Sequence, residues 1–259
     1  MAPEVAVFYS FARSGGTLIN RCLGCIPGNL VLSEVNPHGA AVPVAVQAQD
    51  WLGLLSAAES PAFSGKPYGL QIATLAEAAS RKGGHLIIRD WSALNFVPGV
   101  YFDYFCPSMV LEQPLYLERY GLPARAAVIV RRAAAVYDSI TRTFAHLRDM
   151  TAAEFGRCYL AYARTVSGLP RFRFERFCES PQAELSRLCQ SLGVAYDDGF
   201  VTGFARFDRC TGDNSLAVAS RAGRSDRIMA LSDDTTSAAW SAARADPNCE
   251  EADRLLGYA

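Results

Sequence analysis

Apolar residues along the chain gather in short unbroken runs, and the stretches between them carry helical spacing. Val5 to Ser10 is the first run and predicts a buried strand. It leads through Phe11-Ala12-Arg13-Ser14-Gly15-Gly16 into a helix expected from Thr17 to about Ile26, where Pro27-Gly28 stops it. Asn29 to Asn36 is a short apolar run with a polar corner closed by Pro37. Mixed apolar spacing predicts helix over Pro43 to Leu55, a loop from Ser60 to Tyr68, and a second helix over Leu70 to Arg81 ended by Gly83-Gly84. His85 to Arg89 is a further buried strand with the polar end Arg89-Asp90-Trp91, and Phe96 to Pro107 reads as irregular. Ala126 to Val130 is the next strand and ends in Arg131-Arg132. Helices follow over Ala133 to Leu147 and over Thr151 to about Ser167, where Thr151 and Glu154 have capping-box spacing. Alternation from Arg171 to Phe177 predicts a strand near the sheet edge. A helix then runs from Pro181 to Leu192 with Gly193 as its stop, and the polar tail holds one late helix around Asp234 to Arg244.

Strands alternating with helices predict an α/β fold of three layers around a mostly parallel sheet of about four to five strands. The chain, residues 1–259, is expected to form a single domain with a C-terminal extension from about residue 200. Ligands of such sheets bind outside the carboxyl ends of the strands. Three arginine-bearing corners fall there: Arg13, Arg89-Asp90 and Arg131-Arg132. One exposed strand end accounts for one charge. Three corners around one crevice point to a ligand with several anionic groups, which guanidinium groups match bidentately.

The first corner carries the most chemistry. A strand, a glycine-bearing loop and a helix N-terminus aim backbone N–H groups and partial positive charge at one point, which suits phosphate or sulfate. Gly15 and Gly16 allow close backbone approach, Arg13 adds a fixed charge, and Ser14 and Thr17 offer hydroxyls. A plain structural turn also uses glycine here, so the loop alone leaves both readings open. It is not a Walker A loop, which needs four residues between its glycines and a Gly-Lys-Ser/Thr ending.

Half of the 259 residues are hydrophobic and the net charge is -1, so no global electrostatic signal for nucleic acid exists. The start lacks a positive n-region and no apolar run approaches the ~20 residues that span a bilayer, so a cytoplasmic protein is expected. Eight cysteines are then expected as reduced thiols. Cys22 and Cys25 form a C-x-x-C, open to redox or metal chemistry or to plain burial; they fall inside a predicted helix, which favours burial. The three histidines are not at zinc spacing.

At this point two segments resemble the sulfotransferases that use 3′-phosphoadenosine 5′-phosphosulfate (PAPS). Phe11-Ala12-Arg13-Ser14-Gly15-Gly16-Thr17-Leu18 resembles the family's 5′-phosphosulfate loop. Val128-Ile129-Val130-Arg131 followed by Val136-Tyr137-Asp138-Ser139 is similar to its 3′-phosphate element, an Arg at a strand end with a Ser eight residues later. A weaker third element is Phe174-Glu175-Arg176-Phe177 with Pro181 and Leu192-Gly193, where Phe stands in place of the family's Tyr. The likeness is greatest to the branch with tyrosylprotein sulfotransferases and many bacterial members. There a glutamate 21 residues after the loop's basic residue is the general base, the separation of Arg13 and Glu34. Arg89-Asp90 resembles the Lys-Asp of that branch, and no catalytic histidine follows this strand.

The resemblance implies PAPS as donor, 3′-phosphoadenosine 5′-phosphate (PAP) as product, and transfer to the hydroxyl of a small-molecule or other acceptor. Glu34, Arg13 and Arg89 are then the catalytic residues. Arg13, Ser14, Gly15, Gly16 and Thr17 hold the 5′ end, Arg131 and Ser139 the 3′-phosphate, with Arg221 and Arg224 of a late loop as further candidates. No metal is implied, because arginines and amides neutralise the charge. An ion pair or helix cap is the alternative for Glu34, an orienting contact to Arg89 is preferred over a base role for Asp90, and a solvated loop is the alternative for Arg221 and Arg224. Asn20 and Arg21 are expected to be structural. Rival readings are a P-loop-like nucleotide kinase or hydrolase, which lacks its lysine here, and a nucleotide-binding module without catalysis. Aromatic and apolar residues between Trp91 and Tyr120 suit an apolar acceptor or core packing equally well.

Overall fold

The computed structural model of the protein describes residues 3–99, 107–212, 227–230 and 233–258. Among these residues, six strands form one sheet: β1 (Val5–Ser10), β2 (Asn29–Asn36), β3 (Gly39–Ala40), β4 (His85–Asp90), β5 (Ala124–Val130) and β6 (Arg171–Arg173). Their order is β3-β2-β4-β1-β5-β6. Every pairing is parallel except β2 with β3.

Alternation along β1 sorts the core into two halves. Val5, Val7 and Tyr9 pack with Ile72 and Leu75 of the Tyr68–Arg81 helix, with Val136 and Ile140 of the Ala133–Thr143 helix, and with Phe155 and Tyr159 of the Ala152–Val166 helix. Ala6 and Phe8 pack on the opposite face with Ile19 and Leu23 of the Gly16–Gly24 helix and with Leu185 and Leu188 of the Pro181–Leu192 helix. The molecule is therefore three layers, helix on sheet on helix, as the strand pattern predicts. From β1 the chain passes to β2 on one side of β1, and from β4 it passes to β5 on the other. The carboxyl end of β1 is thus the switch point at which such sheets open a crevice.

Several elements differ from the sequence expectation. The sheet has more strands than four to five, because Asn29–Asn36 is a full strand and a two-residue strand pairs with its end. The Arg171–Phe177 strand stops at Arg173, and Phe174–Glu179 is a helix. Phe174 and Phe177 are both buried at helical spacing, so the two-residue alternation breaks after Phe174. Helix Val44–Val46 continues as the π-turn Gln47–Trp51. The wide turn places the buried Gln47 side chain where it accepts from Ser33 N at 2.7 Å and donates to Ser33 O at 3.0 Å. The helix expected to reach Leu147 ends at Thr143, and a 3-10 turn, Ala145–Leu147, follows. Short helices at Ser60–Ser64 and Gln113–Arg119 and a second late helix, Pro247–Leu255, were not expected.

Candidate functional site

The loop after β1 is held in a conformation that few side chains tolerate. Arg13 has φ 67 and Gly15 has φ 90, both left-handed. A Cβ on Gly15 would lie 2.1 Å from the Phe174 ring, and one on Gly16 would lie 2.3 Å from Ser10 Oγ. No side chain caps the Gly16–Gly24 helix, and its first-turn N–H groups have no intrahelical acceptor. Partial positive charge therefore gathers at the mouth of the crevice. Ser14 is fully buried beneath the loop, and its hydroxyl has no hydrogen-bond partner among the described residues.

Two guanidinium groups brace this loop. Arg13 Nε donates to Ser139 Oγ at 3.1 Å, and Arg131 Nη1 donates to the carbonyl of Arg13 at 3.2 Å. Arg131 lies over the Phe174 ring at 5.4 Å and pairs with Asp233 at 2.5 Å. The loop and the Arg131/Ser139 element, read separately in the sequence, thus touch each other directly.

The third arginine meets Glu34. β2 shifts register against β4 between Leu32 and Val35, and Glu34 takes φ 50 in that irregularity. Its carboxylate leaves the regular alternation and accepts from Arg89 Nη2 at 2.9 Å. Arg89 Nη1 donates to Thr211 O at 3.1 Å, whereas its buried Nε has no partner among the described residues. Thr17 Oγ1 donates to the same carbonyl at 3.4 Å. The segment at Thr211-Gly212 thus crosses this corner, and a Cβ on Gly212 would meet Thr17, Arg89 and Glu34.

These groups line one cavity of about 460 Å³. Its centre holds Arg13, Gly15, Gly16, Thr17, Glu34, Arg89 and Arg131. One wing, formed with the Gly16–Gly24 helix, is walled by Leu18, Arg21, Phe204, Arg227 and Met229. The other, on the opposite face of the sheet, is walled by Trp91, Val97, Ile140, Phe144, His146 and Leu147, with Asp90 at its base.

Asp90 does not orient Arg89 as expected. Successive residues of β4 point to opposite faces, so the two side chains diverge. Asp90 accepts from Ser92 Oγ at 2.7 Å and from Asn36 Nδ2 at 3.4 Å. Burial pushes its carboxyl up to about 7, while the bonds from Ser92 and Asn36 act in the opposite direction. Arg132 leaves the cavity, stacks on Tyr258 and pairs with Asp253 at 3.8 Å. Arg21, expected to be structural, is a wall residue; its position four after Thr17 on the same helix face was the signal. Phe174 stands in the sequence only as the first residue of the weaker third element, and Phe204 has no comparable signal. Arg221 and Arg224 lie outside the described residues. Burial raises Cys22 well above the ordinary thiol value and Cys25 to about 11, which makes both poor nucleophiles. No group of three metal-ligating side chains occurs among the described residues, nor is any described helix long and apolar enough to cross a membrane.

Two solved structures share the fold. The sulfotransferase domain from the Synechococcus PCC 7002 olefin synthase is 18% identical with a TM-score of 0.60, over 98% of this chain and 93% of that domain. The sulfotransferase domain from the curacin biosynthetic pathway is 16% identical with a TM-score of 0.58, over 99% of this chain and 98% of that domain. No protein-family model matches the chain, and no curated protein sequence does. The α/β architecture is therefore that of sulfotransferase domains.

Proposed function

We propose that the protein is a sulfotransferase that moves the sulfuryl group of PAPS to an acceptor hydroxyl, with PAP as product. The observation that carries this reading is the convergence of an uncapped helix N-terminus, Arg13, Arg89, Arg131 and the Glu34 carboxylate on a single cavity in a sulfotransferase fold. The residues fit such a donor: the centre is rich in cationic and N–H donors, and Arg89 Nε is buried with no protein partner among the described residues. PAPS supplies an activated sulfuryl group with a phosphate leaving group.

In this reading the first-turn N–H groups, Arg13 and Arg89 stabilise charge on the sulfuryl oxygens and the leaving phosphate. Gly15, Gly16 and Thr17 bring backbone and hydroxyl close to the 5′ end, with Ser14 packing the loop from beneath. Arg131 and Ser139 hold the 3′-phosphate, and the cavity wing with Arg21, Phe204, Arg227 and Met229 receives the nucleoside. Glu34 takes the acceptor proton, and its pairing with Arg89 points the carboxylate toward the sulfuryl end. Thr211 meets Thr17 and Arg89 at the donor end; Arg221 and Arg224, outside the described residues, are further candidates for the 3′-phosphate. The apolar wing on the other face takes the acceptor.

A thermal-shift titration with PAP against ATP, GTP and NAD tests the donor class. A preference for PAP is expected, and equal shifts with all four would overturn the reading. Glu34→Gln separates an enzyme from a binding module: transfer is lost while PAP still binds.

A further inference from the structure

Asp90 is the one carboxyl in the cavity wall to which the proposed reaction gives no task. It is 1% exposed, ends β4, and sits at the base of the acceptor wing. One oxygen accepts a short bond from Ser92 Oγ. The other receives only the long bond from Asn36, whose amide makes its shorter bond, 2.7 Å, to Asn95 Oδ1. An ionised carboxylate has about four acceptor sites, so Asp90 is under-satisfied as a charge. No Arg, Lys or His pairs with it among the described residues, and its neighbour Arg89 is committed to Glu34. The same cavity is lined by the apolar side chains of Trp91, Val97, Ile140, Phe144 and Leu147.

An unpaired carboxylate in an apolar wall costs several kcal/mol unless a counter-ion arrives. The raised value of about 7 expresses that cost. Neutral hydroxyl donors leave the charge in place. An ammonium group neutralises it and fills the vacant acceptor sites with charge-assisted bonds, in a cavity that Trp91 and Phe144 also line.

We propose that Asp90 seats an ammonium group of the acceptor, so that the protein prefers amino alcohols or amino phenols with a compact apolar skeleton over acceptors of the same shape without the amine. This inference rests on the sulfotransferase reading, which makes this wing the acceptor side.

The test uses the full chain saturated with PAP and two matched pairs of probes, tyramine with para-ethylphenol and aminohexanol with hexanol. Calorimetry is expected to show the amine bound about tenfold or more tightly in each pair. Asp90→Asn, which keeps size and hydrogen bonding, should abolish that preference while PAP affinity stays at the wild-type level. Equal affinity within the pairs, absence of binding by both members, or a preference that survives Asp90→Asn would overturn the inference. If the variant does not fold, the wild-type preference measured from pH 8.5 down to 5.5 decides: it should fade as Asp90 takes up a proton. Tyr9, Tyr68 and Tyr162 face Asp90, and burial keeps their phenols un-ionised across this range. His146 lines the same wing, so the series is repeated with His146→Gln, and a fading that disappears in that variant counts against Asp90. Failure of the wild type to bind PAP removes the sulfotransferase reading itself; PAP binding without an amine preference removes only this inference.

Discussion

Arg89 and Glu34 meet at 2.9 Å although 55 residues separate them in the chain. The contact joins adjacent parallel strands at their carboxyl ends, and it exists because β2 loses register between Leu32 and Val35. A regular strand would leave Glu34 in the ordinary alternation. The pair is largely buried, with side chains 7% and 17% exposed, so removing either partner leaves the other as an uncompensated charge.

Replacing Glu34 by Gln keeps the shape and removes the proposed base. Sulfuryl transfer in a single-turnover assay is expected to slow on the order of 10²- to 10⁴-fold, with PAP binding retained. Arg89→Ala is expected to damage both, since it strips a charge from the proposed donor site and leaves Glu34 unpaired. Normal turnover by Glu34→Gln would assign the carboxylate a structural role alone.

Arg131 is shared between the proposed 3′-phosphate and the Asp233 carboxylate, 2.5 Å away. Removing that competitor with Asp233→Asn should tighten PAP by about three- to tenfold, an ion-pair-sized effect of about 1 kcal/mol. Arg131→Ala should weaken PAP by about tenfold or more. Calorimetric titration at low and high salt checks both, and the Asp233 effect should shrink as salt screens it.

Two glycines with similar backbone angles should respond differently to alanine. Gly15 has φ 90 and the Phe174 ring in its Cβ position; Gly28 has φ 86 and nothing within 4 Å. Gly28→Ala bears only the conformational cost, about 1 kcal/mol. Gly15→Ala must also displace Phe174, which underlies Arg131, and should cost about 2–3 kcal/mol more and weaken PAP. Urea midpoints of the two variants, with equal losses, would show that the Phe174 contact does not shape the loop.

Asp90 makes stability depend on pH. Its folded value, about 7, lies above the ordinary 3.8, so between those values the folded state holds a proton that the unfolded chain has released. Stability therefore falls as pH rises through that window. From pH 5 to 8 this group should remove about 3 kcal/mol, at 1.36 kcal/mol for each unit below 7. Asp90→Asn should lose that slope and overtake the wild type at pH 8. Parallel slopes of the two proteins in urea denaturation would contradict it.

Much of the site was legible before the fold because parallel βα units place strand-end residues on one edge. Arg13, Arg89 and Arg131 each follow an apolar run, and all three line the cavity. The place of Arg21 on a cavity wall is not legible in the sequence, since a helix face is read against a core, not against a cavity that Phe204 and Arg227 also line. Asp90 was misjudged because adjacency in sequence suggested a contact that strand pleating forbids.

Local pattern by itself determined the three-layer α/β class, the strands β1, β4 and β5, the main helices and the glycine-bearing loop after β1. Those features depend on the period of burial and on backbone freedom within a few residues. Tertiary structure alone decided that Glu34 turns to Arg89, that Phe174 ends a strand to floor the loop, that Arg13 rests on Ser139, and that Asp90 has no counter-ion among the described residues. Each of these is set by register, bulge and approach between segments far apart in the chain, and a one-residue shift in strand pairing would reverse the side on which the side chain lies.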